Sequence, residues 1–278
     1  MKRLFTVALT TAMVLSLAGC GSTAADTTAS TSDSSAAETS VAADASTEAS
    51  VEETVANAAD TEKGEGVMTY ADFAAADTDS EVTVETYVQA KQGWWEDNGQ
   101  GQASIYTQDA DGGYFFYNLP CTEDEYNLLT EGTKIKATGY KSEWSGEIEI
   151  TDATYEIEDG SYIADPVDLS ADLGSDDLIN YQNMKFAAKG LTVEASGDDN
   201  AAFLYNYDGS GAEGDALYFN VSDGTNTYSF TVESYLCDKD SDVYKAVEAL
   251  NVGDKIDTEG FLYWYEGANP HITSVTVE

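Results

Sequence analysis

Two stretches of this chain, roughly 120 residues apart, repeat one another element by element, and no other feature constrains its fold as tightly. Asp111-Gly112-Gly113-Tyr114-Phe115-Phe116 corresponds to Asp223-Gly224-Thr225-Asn226-Thr227-Tyr228-Ser229-Phe230, a turn signal followed by an aromatic-rich strand. Each is followed by a cysteine (Cys121 or Cys237), an acidic segment, and a helical stretch, Glu125–Leu129 or Val243–Leu250. Glu131-Gly132-Thr133-Lys134-Ile135 through Gly139-Tyr140 then matches Val252-Gly253-Asp254-Lys255-Ile256 through Gly260-Phe261. Beyond these, Trp144 and Gly146 precede Ile148 and Ile150, as Trp264 and Gly267 precede Ile272 and Val275.

The alternation of Val82-Thr83-Val84-Glu85-Thr86-Tyr87-Val88 has a period of two and predicts a strand. Ser104–Gln108, Gly113–Asn118, Lys134–Tyr140 and Glu147–Tyr155 complete five strands, with the helix between the third and the fourth. The second copy reads as Met184–Ala195, Ala216–Ser222, Thr227–Ser234, Asp254–Tyr263 and His271–Val277. Strand, strand, strand, helix, strand, strand resembles the OB-fold, a small Greek-key barrel. The expectation is therefore an all-β protein with one short helix per domain: two tandem five-stranded OB-fold-like Greek-key barrels after a disordered acidic tether. The boundaries read as 1–19 for a signal peptide, 20–65 for the tether, 66–160 for the first barrel and 161–278 for the second.

The tether is expected from composition. From Gly21 to Glu65 the chain is dominated by Ser, Thr, Ala, Asp and Glu, without an aromatic residue and with Val41, Val51 and Val55 as its larger aliphatics. Such a segment cannot bury enough apolar surface to offset the entropy of ordering. As a random coil it spans roughly 35–40 Å. Ahead of it, Met1-Lys2-Arg3 precede an apolar stretch from Leu4 to Leu17, then small residues and a cysteine. This is the secretory pattern, and the stretch is short of the roughly 20 apolar residues of a spanning helix. Leu17-Ala18-Gly19-Cys20 resembles the lipobox of a bacterial surface lipoprotein. The resemblance implies cleavage before Cys20, lipid on its thiol, and an extracytoplasmic protein held on the cell membrane through that lipid.

Charge bounds the partners. With 12 basic and 52 acidic residues the net charge is −40, a field that repels phosphate backbones and anionic lipid. Nucleic acid is accordingly disfavoured, although Lys91, Lys134, Lys136 and Lys141 are where such a reading would start; otherwise they belong to a solvated barrel face. Asp109-Ala110-Asp111-Gly112, Asp198-Asp199-Asn200 and Asp208-Gly209-Ser210 carry calcium-type oxygen chemistry, but no terminal bidentate Glu completes a loop, and plain β-turns explain them more economically.

The chain has one histidine, His271, expected at a surface or barrel end, and lacks Gly-x-Ser-x-Gly, a phosphate-binding Gly-rich loop and Cys-x-x-Cys. No catalytic set, metal site or cofactor site is expected, and Cys121 and Cys237 are expected as two free, mostly buried thiols. The aromatics carry the functional signal. OB-folds bind ligands on strands two and three, between the loop joining strands one and two and the loop joining strands four and five. In the first copy those loops hold Trp94-Trp95 and Trp144, and in the second Tyr205, Tyr207, Trp264 and Tyr265. The resulting expectation is a non-catalytic binding protein of the bacterial envelope that takes a glycan, peptide or envelope protein on these rings. Single-stranded nucleic-acid binding is one alternative reading; an accessory subunit of an envelope enzyme, or a weak hydrolase, is the other.

Overall fold

The computed structural model describes residues 57–197 and 199–278. Cys20 and what is expected of residues 1–56 lie outside these residues; of the expected tether, 20–65, only 57–65 are described, where Asp60 pairs with Lys134 and Lys63 with Asp109. No described helix is long and apolar enough to cross a membrane.

The first sheet comprises β1 (Glu81–Lys91), β2 (Trp95–Asp97), β3 (Gln100–Gln108), β4 (Gly113–Pro120), β5 (Thr133–Trp144) and β6 (Glu147–Ser161). Its order is β1-β5-β6-β4-β3-β2, and β1 also pairs with β3, which closes five strands into a barrel. All pairings are antiparallel except β4 with β6. A short helix, α1 (Tyr70–Ala75), precedes the barrel, and α2 (Glu123–Leu128) sits between β4 and β5. The second sheet repeats the plan with β7 (Val167–Asp168), β8 (Lys185–Glu194), β9 (Leu204–Tyr205), β10 (Leu217–Ser222), β11 (Thr227–Val232), β12 (Lys255–Phe261) and β13 (His271–Val277). It runs β7-β8-β12-β13-β11-β10-β9 and closes through β8 and β10; β11 and β13 are parallel, and α3 (Asp242–Glu248) again lies between the third and fourth barrel strands. This is OB-fold topology twice over.

Alternation builds each core. Tyr114 and Phe116 of β4 and Ala103 and Ile105 of β3 fill the first barrel; Leu217, Phe219 and Val221 of β10 fill the second. β1 departs from alternation because Thr86 to Gln89 are all buried. Its outer face is covered: Tyr162 meets Tyr87 edge-on, and Gln89 bonds the Tyr162 carbonyl and the Ala164 amide. The helix between β4 and β5 starts where Thr122 and Glu125 form a reciprocal capping box, which satisfies backbone N–H groups that the first turn leaves open. The matched glycines of the repeat have one explanation. A Cβ on Gly139 would lie 2.8 Å from the Ala153 side chain and the Thr151 carbonyl, and one on Gly260 would lie 2.2 Å from the His271 carbonyl. Pairing shifts register at both places, so these are bulges where a barrel strand turns tightly against its neighbour.

The barrels pack on one another. Tyr106, Phe115 and Phe261 form a small core of their own, with Tyr106 stacked on Phe261 at 4.5 Å. His271 lies in this interface, not at a surface or barrel end. It is 4% exposed, stacks on Tyr263 at 4.3 Å, and shares a 2.8 Å hydrogen bond between its Nδ1 and Tyr106 Oη. Burial lowers its pKa to about 3, so it is a neutral packing group. Polar bonds join the same faces: the Trp264 amide donates to Glu147 Oε2 at 2.8 Å, the Lys185 amide to Gln108 Oε1 at 2.8 Å, and the Gly93 amide to the Tyr235 carbonyl at 2.8 Å. Cys121 and Cys237 are free thiols, the former buried and the latter half-buried.

Candidate functional site

The side chains that do not enter the cores decide the surface. On β4, Phe115 and Tyr117 point opposite to Tyr114 and Phe116; on β10, Tyr218 and Asn220 point opposite to Phe219 and Val221. Because the barrels pack through neighbouring faces, these two outward rows come to line one concave surface. Its centre is a cleft of about 720 Å³ walled by Phe115, Tyr117, Trp144, Tyr207, Tyr218, Tyr235, Tyr263 and Tyr265, with Gln92, Ser104, Glu233, Asn269 and His271. A depression of about 590 Å³ adjoins it on the first barrel, sharing Gln92, Ser104, Tyr117 and Tyr235 and adding Gly93, Trp94, Trp95 and Asn118. Another, of about 400 Å³, adjoins it on the second barrel, sharing Tyr207, Tyr218, Tyr265 and Asn269 and adding Ser196, Leu204, Asn220, Ser229 and Ala268. Together they form a groove across both barrels, with planar rings, amides and hydroxyls along its length.

The aromatic residues singled out from the sequence divide into two groups. Trp95 (45% exposed), Trp144 (52%), Tyr207 (71%) and Tyr265 lie in the groove with open faces, and Trp144 leans on Tyr265 with centroids 5.0 Å apart. Trp94 lines it too, but half-buried: its ring packs on the first core and its indole N–H donates to the Cys121 carbonyl at 3.0 Å. Tyr205 and Trp264 are not in the walls. Tyr205 donates its hydroxyl to Glu248 at 2.7 Å, which pushes its pKa up to about 12, and Trp264 packs on the second core. Sequence reasoning concentrated on loops and missed Tyr117, Tyr218, Tyr235 and Tyr263. The first two were open to view as the outward members of alternating strands; Tyr235 and Tyr263 fall just after strand ends, where no period applies.

The four lysines weighed for phosphate contact are engaged elsewhere, not solvated on a barrel face. Lys134 is nearly buried among Asp60 (3.1 Å), Glu158 (3.0 Å) and Glu85 (3.4 Å); burial opposes its charge, but these carboxylates outweigh burial and hold its pKa above the lysine range. Lys136 faces Glu85 at 4.0 Å. Lys141 donates to the carbonyls of Phe73, Ala74 and Ala76 at the end of α1, and Lys91 to the Tyr126 carbonyl. Among the described residues no lysine or arginine lines the groove.

The acidic turns are likewise used internally. Asp109 is fully buried, paired with Lys63 at 2.6 Å, and accepts from Tyr114 Oη and from the Asp111 and Gly112 amides. A lysine occupies the place a metal would take. Asp208 accepts from the Ser210 amide, an ordinary turn bond, and Asp198 lies outside the described residues. Among the described residues no group of His, Cys, Asp and Glu is arranged to hold a metal.

Three carboxylates near the interface have raised pKa values. Burial holds Glu147 well above its usual range, against hydrogen bonds that favour its ionised form, those from the Trp264 amide and Gln182 among them. Burial lifts Glu149 to about 7 and also raises Glu233.

No family model matches the chain, and no curated protein matches it. Among solved structures it is similar to the Ifi202 HINa domain in complex with 20bp dsDNA (13% identity, 72% of this chain and 98% of that one, TM-score 0.31) and to the p204 HINb domain (10%, 73% and 100%, TM-score 0.33). It is also similar to a Replication Protein A heterotrimer bound to ssDNA (12%, 71% and 49%, TM-score 0.31). These likenesses are slight, and the fold assignment rests on the strand order and closure of each barrel.

Proposed function

We propose that this chain is a non-catalytic, lipid-anchored protein of the bacterial cell envelope whose two barrels bind an oligosaccharide in their shared groove. One observation carries the reading: open aromatic faces share a concave surface with amide and hydroxyl side chains, and among the described residues no lysine or arginine lines it. Rings cover the apolar faces of sugars, and Gln92, Asn118, Asn220 and Asn269 each offer both a donor and an acceptor to sugar hydroxyls. OB-folds use this face for oligosaccharides as well as oligonucleotides. Two of the similar structures hold DNA, but a phosphate backbone needs cations that this groove does not offer.

Titration of the protein with neutral oligosaccharides and with oligonucleotides, read by tryptophan emission at two ionic strengths, tests this. Saccharide binding that is insensitive to salt is expected. Saturable oligonucleotide binding without any saccharide binding would replace the reading. The anchor is tested separately: Cys20→Ala should leave the protein unprocessed or release it from the membrane fraction, and a variant that is still cleaved and still sediments with membranes excludes lipid on that thiol.

A further inference from the structure

Among the described residues the groove is lined by one carboxylate and by no lysine or arginine to pair with it. Glu233 stands in the wall of the central cleft, just beyond the end of β11. Its Oε1 accepts from the Tyr235 amide at 3.2 Å, and among the described residues no lysine or arginine pairs with it. It is near enough to Tyr218 and Tyr263 to disfavour ionisation of both phenols. A ligand seated across the cleft removes water from this carboxylate. If the ligand is neutral or anionic, that desolvation goes uncompensated and costs affinity. A ligand cation offsets it through a charge-assisted hydrogen bond, and the surrounding ring faces attract the same charge. The net charge of −40 adds a long-range field of the same preference.

We propose, resting on the oligosaccharide reading above, that the groove selects glycans bearing free protonated amino groups, with one ammonium seated against Glu233 between the rings of Tyr218, Tyr235 and Tyr263. Among the described residues no lysine lies within salt-bridge distance of Glu233: Lys239, six residues on, faces Glu213 at 3.6 Å, and Lys185 faces Glu131 at 3.5 Å. The seat is therefore open to a ligand rather than to a side chain of the protein itself.

The test compares three tetrasaccharides on the full chain at a pH just below neutrality: β-1,4-linked glucosamine, its N-acetylated counterpart, and the corresponding glucose oligomer. The amino form should bind roughly tenfold or more tightly than the other two. Glu233→Gln should abolish the preference: the amino form weakens, and the other two, which no longer desolvate a carboxylate, bind as well as before or somewhat more tightly. Glu123→Gln, on exposed α2 and away from the groove, controls for diffuse attraction and should change nothing. Equal affinity for all three overturns the ammonium seat and leaves the glycan groove standing. Equal losses in the Glu233 and Glu123 variants also overturn the seat, since the preference is then the overall field. No binding of any of the three overturns the glycan reading and the seat together.

Discussion

A buried carboxylate without a cation is costly to the folded state. Glu147 is fully buried at the interface, with its Oε2 accepting from Trp264 and Gln182 and its Oε1 without a partner. Its pKa is raised in the folded state, so between the unfolded value of about 4.3 and the folded one folding takes up a proton, and stability falls as pH rises through that window. Glu147→Gln mimics the protonated acid and does not titrate. It should stabilise the protein by about 1–3 kcal/mol at alkaline pH and by less at acid pH, as measured by urea unfolding across pH. A wild-type-to-variant difference that is flat with pH would mean that Glu147 titrates normally. The adjacent tryptophans separate binding from stability at the same scale. Trp95→Ala should weaken a groove ligand several-fold and leave the melting temperature nearly unchanged, because its ring is open. Trp94→Ala should cost ~2–4 kcal/mol of stability, in the lower part of the range for core rings because Trp94 is half-buried. Equal melting temperatures in the two variants would contradict the division described above. Residue types signalled which aromatics to inspect, but not which of two neighbours faces inward. That depended on the Cys121 carbonyl being there to receive the indole N–H of Trp94.

At the scale of elements, the internal repeat made the barrel strands and both inter-strand helices legible, because turn signals, period-two alternation and glycines recur in the same order. β13 was read with the ends it has, His271 and Val277. The elements that escaped are those held by other parts of the chain. α1 is six residues long, β2 is a three-residue strand exposed throughout, and β7 is two residues long; none carries enough period to register. α1 is held by Lys141 and by Tyr70 and Phe73 packing on Tyr114, contacts with partners distant in sequence. The repeat's glycines also support a prediction. Gly139→Ala and Gly260→Ala should each destabilise, by about 1–3 kcal/mol at Gly139, where two of the three nearest atoms belong to side chains and the third, the Thr151 carbonyl, is 2.8 Å away. The effect should be larger at Gly260, where the obstacle is backbone; denaturant midpoints would show the order, and a neutral Gly260→Ala would contradict the bulge.

For the whole molecule, the sequence reads as two tandem barrels and leaves open whether they pack on one another. Nothing in the pattern of either copy announces that Tyr106, Phe115, Phe261 and His271 share a core; only their joint burial does. The same packing produces the groove, which is why alternation shows that Tyr117 and Tyr218 face outward but not that they share one surface. The interface should couple the barrels, so calorimetry should find one unfolding transition, and Tyr106→Ala should lower it as a unit. Two resolved transitions would show the barrels to be independent. The first barrel also holds the segment before it, through Asn57 on Ile163, Asp60 on Lys134, and Lys63 on Asp109. These fastenings have a mechanical consequence. A pull entering the chain at Asn57 loads a short row of side-chain bonds one after another, not the strand ladders behind them. The row therefore peels like a strap, and once α1 is also drawn off Lys141 and the core around Phe73, the segment from Asn57 to Ser80 spans at most roughly 80 Å before either barrel begins to stretch.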